Sequence, residues 1–303
     1  MELHPTPFTR HEMISIDNLK VEFGVKPLFD NVSFVINDKD RIALVGKNGA
    51  GKSTMLKIIC GLQKPTSGNV AIPNDTTIGY LPQVMNLQDN TTVREEVKKA
   101  FADISKMKER VDKLNEELAQ RTDYESDSYM ELVQKFTTEH ERYMMMGADN
   151  YEAEMERTLT GLGFERTDFD RPTSEFSGGW RMRIELAKIL LRRPDVLLLD
   201  EPTSNLDPKN QHEVLQVVTD IAKKNRISVI IIIHDLNLAV RYCDRFLFLK
   251  DAHVFRYGGA EVLTEETIEA VYDMKVKLME CDGIPVIIPY PKDKTNGGTE
   301  HGR

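Results

Sequence analysis

Apolar positions along this chain follow two rhythms. Short unbroken runs, Ile42-Ala43-Leu44-Val45, Val196-Leu197-Leu198-Leu199 and Val229-Ile230-Ile231-Ile232-Ile233, read as strands buried on both faces. Between them lie stretches with apolar residues every third or fourth position, from Met55 to Ile59, Gln211 to Lys224 and Leu236 to Tyr242, which read as helices. Strands and helices in alternation build a parallel sheet covered by helices. Two other segments, Ile14-Ser15-Ile16 and Val32-Ser33-Phe34-Val35-Ile36, alternate with period two, as strands do. Phe246 to Leu249 and His253 to Tyr257 read as a hairpin around Lys250-Asp251-Ala252. Gly79-Tyr80-Leu81-Pro82-Gln83 closes one more strand.

From Val93 to about Gly163 the pattern turns helical and charged. Ile104, Met107, Val111, Leu114 and Leu118 step by three and four, a coiled-coil-like stripe. The polar run from Arg121 to Asp127 interrupts it, and Leu132, Val133, Phe136 and Tyr143 mark a second amphipathic helix. Two such helices joined by a polar turn predict an antiparallel hairpin. Residues 95–157 hold 17 Asp and Glu against 10 Lys and Arg, a net of −7 that reads as a solvated face. Met144-Met145-Met146 fits helix core better than a pliable contact surface.

Candidate chemistry sits at the strand ends. Gly46-Lys47-Asn48-Gly49-Ala50-Gly51-Lys52-Ser53-Thr54 fits G-x-x-x-x-G-K-[ST] and lies between a strand and a helix, where the motif must lie to be meaningful. Its glycines let backbone N–H groups and a helix N-terminus wrap a polyphosphate. Lys52 is then placed for the β- and γ-phosphates and Ser53 for Mg²⁺. The strand Val196–Leu199 ends in Asp200 and Glu201, which suits a carboxylate near the metal and a second one polarising the attacking water.

The ordered series formed by this loop, Gln83, Phe176-Ser177-Gly178-Gly179-Trp180-Arg181-Met182-Arg183, Asp200-Glu201, Ser204-Asn205-Leu206-Asp207 and His234 resembles the nucleotide-binding domain of ATP-binding cassette (ABC) proteins over roughly residues 14–290. The resemblance implies an α/β fold: a P-loop NTPase (RecA-like) ABC core with an antiparallel β subdomain and an inserted α-helical subdomain. It places the core at 13–92 and 176–250, the helical subdomain at 93–175 and a C-terminal αβ segment at 251–290. Residues 1–12 and 291–303 are expected to be a loose extension and a flexible tail. It further implies an ATP hydrolase with ATP and Mg²⁺ as its ligands. Phe23 would stack on adenine, and Gly46, Asn48, Gly49, Gly51, Lys52, Ser53 and Thr54 would hold the phosphates. Ser53, Gln83 and Asp200 would meet the metal. Glu201, Gln83 and His234 would do the chemistry. Ser177, Gly178 and Gly179 of a second cassette would close over the nucleotide, with Asp207 coupling the two sites, so a homodimer is expected. Arg181 and Arg183 should face solvent or the helical lobe.

Within that family the chain points two ways. Residues 13–200 resemble the first cassette of an ABC-F protein, the ribosome-associated branch, through Phe176 to Arg183 and the long helical stretch before it. Residues 204–290 resemble the ATPase of iron-siderophore or cobalamin importers, through Ser204 to Pro208, His234 to Ala239 and Glu261 to Thr264. The chain therefore looks like a chimera with its junction near Asp200–Asp207. The first half implies a ribosome as partner and the second a membrane permease; the balance leans to the ABC-F-like factor.

Composition narrows the setting. No apolar run approaches the roughly 20 residues that span a bilayer, so no direct membrane insertion is expected. No secretory pattern is visible near Met1, which points to the cytoplasm, or to a peripheral place at the inner face of the membrane. A formal charge of −9 argues against a broad nucleic-acid footprint. Cys60, Cys243 and Cys281 lack metal or pairing spacing and are expected to be small buried residues.

Overall fold

A computed structural model describes residues 12–290, apart from 25, 75, 85, 86, 88, 89, 146–149 and 205. Of the extension expected over 1–12, residues 1–11 lie outside the described residues, as do Met146, Asn205 and the tail 291–303; Glu12 already opens a strand. The chain divides into two compact units, one built from residues up to Gln83 and from Pro194 onward, the other from Val84 to Arg193.

The first unit is organised around a six-stranded sheet ordered β5-β6-β7-β3-β8-β9. Its strands are β3 (Arg41–Val45), β5 (Ile78–Leu81), β6 (Val196–Leu199), β7 (Ser228–Ile232), β8 (Arg245–Lys250) and β9 (His253–Gly258). All neighbours pair in parallel except β8 and β9, the expected hairpin. The apolar runs are fully buried because helices cover a parallel sheet. These helices include α1 (Lys52–Ile59), α7 (Pro208–Asn225), α8 (Leu236–Tyr242) and α9 (Glu265–Tyr272). The strands leading to Asp200 and His234, β6 and β7, are neighbours.

A second, antiparallel sheet ordered β2-β1-β4 is made by β1 (Glu12–Phe23), β2 (Lys26–Asn37) and β4 (Ser67–Ala71). β1 runs past Ile16 through register shifts and Asn18 at φ 49°, which keep Leu19 and Val21 on the buried side. One apolar core joins the two sheets: Ile14, Phe29 and Ile36 meet Leu44, Met55, Leu198 and Ile230. The segment after α9 forms a hairpin of β10 (Val276–Cys281) and β11 (Ile284–Pro289).

The second unit contains α2 (Val93–Lys98), α3 (Ala102–Gln120), α4 (Asp127–Met145), α5 (Tyr151–Gly161) and α6 (Gly178–Leu190). α3 and α4 pack together as the expected hairpin, with Val111 and Leu114 buried at the centre of the stripe. Arg121 and Ser126 both bond the Asp123 carboxylate and staple the turn. α6, assigned above to the ATP-binding core at 176–250, groups instead with this helical unit. The reason is its apolar face, where Met182, Ile184 and Leu186 are buried and the neighbours are α2 and α5.

The expectation for the cysteines holds only for Cys243, which is buried; Cys60 is half-buried and Cys281 exposed. Cys281 ends an edge strand of a two-stranded hairpin, where little can cover it.

Candidate active site

β3 delivers the chain into the loop Gly46–Gly51, and α1 begins at Lys52. Gly51 stands at φ 91°, and a Cβ there would come within 2.5 Å of the Phe29 ring, so only glycine fits the turn into the helix. Lys52 is 6% exposed, and its ammonium donates to the Gly46 carbonyl at 2.9 Å and the Lys47 carbonyl at 3.0 Å. Burial lowers its pKa, and the charges of Glu201 and Asp200 oppose that shift.

Beside Lys52, the Ser53 hydroxyl donates to Asp200 Oδ1 at 2.8 Å, and the Tyr80 hydroxyl donates to Oδ2 at 3.0 Å. Burial first, then Asp200, pushes the Tyr80 phenol up and keeps it a donor. Asp200 is 3% exposed at the end of β6, so its carboxylate is held at both oxygens in a dry place. Ser53 and Asp200 are hard oxygen donors side by side, a set that suits Mg²⁺ sharing phosphate oxygens and water. Among the described residues no group of three or more His, Cys, Asp or Glu is placed to hold a metal ion.

Glu201 stands at φ 53°, an uncommon value for a residue with a side chain. Gln83 Nε2 donates to its Oε2 at 2.7 Å, and His234 Nε2 lies 2.7 Å from its Oε1. The three side chains thus meet from the ends of β5, β6 and β7. They line one open cleft of ≈ 550 Å³ together with Phe23, Asn48, Gly49, Gly51, Lys52, Ser53 and Thr54. Phe23 is 62% exposed at the end of β1, with its ring free to meet a planar ligand.

Four of the predicted site residues lie elsewhere. Asp207 caps α7 and accepts from the Asn210 backbone N–H at 3.0 Å, with Pro208 filling the first helical position. Ser177, Gly178 and Gly179 open α6 in the helical unit. Ser177 is the N-cap, but its side chain makes no capping bond, and space around Gly178 is open. The first turn of the helix therefore has no side-chain cap. Arg183 does face the helical lobe, as expected: it donates to the Leu162 carbonyl at 3.0 Å and lies 4.4 Å from the Trp180 ring centroid. The sequence reading missed Tyr80, whose only signal is its place two residues before Pro82 at a strand end, and Tyr272, for which no local signal exists.

The ABC transporter family model matches residues 29–204. An ABC transporter ATP-binding protein of Methanocaldococcus jannaschii is 32% identical over 282 residues, 91% of this chain and 98% of that protein. ABC transporter F family member 5 of Arabidopsis thaliana is 32% identical over 236 residues, 77% of this chain but 33% of that protein. A cobalamin import ATP-binding protein of Halobacterium salinarum is 31% identical over 301 residues, 95% of this chain and 66% of that protein. Both branches seen in the sequence are thus among its relatives, and the archaeal match runs through the Asp200–Asp207 junction in a single chain. Among solved structures, a metal-chelate type ABC transporter in an inward-facing conformation superposes with TM-score 0.69 at 23% identity, over 93% of this chain and 98% of that one. A dimeric bacterial ABC transporter cassette gives 0.57 at 24%, over 82% and 98%. With the P-loop, the strand-end carboxylates and the fold in agreement, the chain belongs to the ABC transporter ATP-binding family and is an ATP hydrolase of that family.

Proposed function

We propose that this chain binds Mg-ATP in the cleft of the first unit and hydrolyses it when a second copy closes the site. The observation that carries the reading is Glu201, bracketed by Gln83 and His234, beside the Ser53–Asp200 pair. Lys52 exchanges its two carbonyl partners for the β- and γ-phosphates. Ser53 and Asp200 would hold Mg²⁺, which when bound would neutralise charge on the phosphates. Glu201 takes up the proton of the attacking water, which Gln83 and His234 orient. Phe23 stacks on the adenine. Ser177, Gly178 and Gly179 of the partner copy present a hydroxyl and the N-terminus of α6 to the γ-phosphate. Asp207 sits at the head of α7 and links this site to its twin.

The closing and reopening of the pair drives a conformational change in a partner. The α3–α4 hairpin, two helices of 19 residues each, supports an ABC-F-like factor that acts on the ribosome. One specific observation favours a second reading, the ATPase of an iron-siderophore or cobalamin importer: the cobalamin import relative matches across 95% of the chain. Among the described residues no helix is long and apolar enough to cross a membrane, so in that reading a separate permease supplies the spans. Affinity capture of the Glu201→Gln chain from cells with ATP present tests the two. Recovery of ribosomal subunits supports the first reading, and recovery of a membrane permease with no ribosomes overturns it.

A further inference from the structure

The segment after β9 is far from the phosphate-binding loop in sequence, yet it bonds both the first residue of that loop and the helix that follows His234. The hydroxyl of Tyr272, the last residue of α9, accepts the backbone N–H of Gly46 at 3.1 Å. On its other side Gly46 is wedged against β8, since a Cβ there would lie 2.7 Å from the Leu249 carbonyl. The first residue of the loop is therefore held from two directions. Burial pushes the Tyr272 phenol up to about 12, so it stays neutral and its oxygen remains a good acceptor.

The same segment grips the helix that follows His234. Asn237, in the first turn of α8, donates through Nδ2 to the Ile287 carbonyl at 3.1 Å and accepts from the Ile287 N–H at 2.8 Å. That pair of bonds locks β11 to α8. The hairpin is in turn tied to α9, because the Leu278 N–H donates to Glu265 at the start of that helix at 2.9 Å. A continuous chain of hydrogen bonds and covalent structure runs from Gly46 through Tyr272, α9, the hairpin and Asn237 to α8.

We propose that the α9–β11 segment is a brace that sets the phosphate-binding loop against the His234 helix, with Tyr272 as a positioning residue for ATP. Tyr272 acts by accepting the Gly46 backbone N–H where the loop begins, a donor whose pairing is costly to lose. Loss of the hydroxyl leaves the ring's packing in place but frees Gly46, so the loop must be ordered by the nucleotide itself. Such a change raises the ATP requirement without slowing the saturated enzyme.

The inference rests on the reading that the Lys52 loop binds ATP, and Lys52→Ala separates the two. The test compares Tyr272→Phe, Lys52→Ala and the parent chain by equilibrium binding of a fluorescent ATP analogue, by steady-state hydrolysis and by thermal unfolding. Tyr272→Phe is expected to weaken analogue binding and raise KM about five- to tenfold, with kcat within about twofold and an unfolding midpoint within a few degrees of the parent. Unchanged affinity and KM overturn the brace, as does a fall in kcat at constant KM. If Lys52→Ala also binds as the parent does, the loop reading itself has failed. If Tyr272→Phe does not fold, Asn237→Ala takes its place, since it releases the hairpin from α8 without touching the loop. It should raise KM about two- to threefold, and an unchanged KM overturns the proposal.

Discussion

At Glu201 a strained backbone and two short side-chain contacts coincide. The φ of 53° turns the chain sharply after β6, so that Asp200 points inward to Ser53 while Glu201 points into the cleft between Gln83 and His234. Two adjacent carboxylates on a straight strand would point to opposite faces; the turn lets both serve one site. Glu201→Gln keeps the shape and the cleft but removes the base. Turnover should fall about 100-fold or more while ATP binding persists, read by single-turnover hydrolysis and equilibrium binding. Lys52→Ala should weaken ATP binding itself. Parent-like hydrolysis by Glu201→Gln would remove Glu201 from the chemistry.

Among the elements, the helix that carries Ser177 is held by charge as well as by apolar packing. Glu96 on α2 is 1% exposed and accepts from Lys188 on α6 at 2.7 Å and from Lys99 at 2.5 Å. Burial alone would raise the carboxyl's pKa, but the hydrogen bonds from Lys188 and Lys99 outweigh it and hold it below the ordinary value. A depressed carboxylate stabilises the fold fully above its unfolded pKa, and that contribution is lost as pH falls through the folded value. The helical unit should therefore loosen as pH falls below the ordinary glutamate range, and Glu96→Ala should cost about 2–3 kcal/mol by urea unfolding and flatten that acid limb. A variant as stable as the parent would show the network to be idle. This cluster also marks the limit of what the sequence could tell. The strands of the six-stranded sheet, the helical hairpin and the P-loop were legible because their patterns are local, whereas β4, β10 and β11 were not; Gln83, Asp200, Glu201 and His234 were legible because they follow strand-like runs. Glu96–Lys188, Tyr80–Asp200 and Tyr272–Gly46 join residues 92, 120 and 226 positions apart, and no local pattern announces such partners. The grouping of α6 escaped the sequence for the same reason: its Ser-Gly-Gly motif is local, whereas the partners of its buried face in the helical unit are not.

For the whole molecule, this sequence holds one P-loop and one Ser177-Gly178-Gly179; on the proposed reading, in which a second cassette brings the latter to the nucleotide, a symmetric, ATP-dependent dimer is expected. Hydrolysis per chain should rise with protein concentration and level off as dimers form; a strict monomer with constant specific activity would exclude it. The two-branch character meets a firm constraint in the sheet order, because β3 from the first half lies between β7 and β8 from the second, and β6 from the first half pairs with β7. Neither half can close a core without the other, and mismatched packing there would cost about 1–3 kcal/mol per contact. The sheet should melt in one transition that moves upward with Mg-ATP, by calorimetry; separate melting of 13–200 and 204–290 would contradict it. The interleaving also sets a timetable during synthesis. The apolar strand Ile42–Val45 leaves the ribosome early, but both of its neighbours, β7 and β8, lie far downstream. At ordinary elongation rates that gap is on the order of ten to forty seconds. Throughout it a bare hydrophobic edge on each side of β3 waits unpaired, so the newborn chain passes through its most aggregation-prone moment before the second half of its sheet exists.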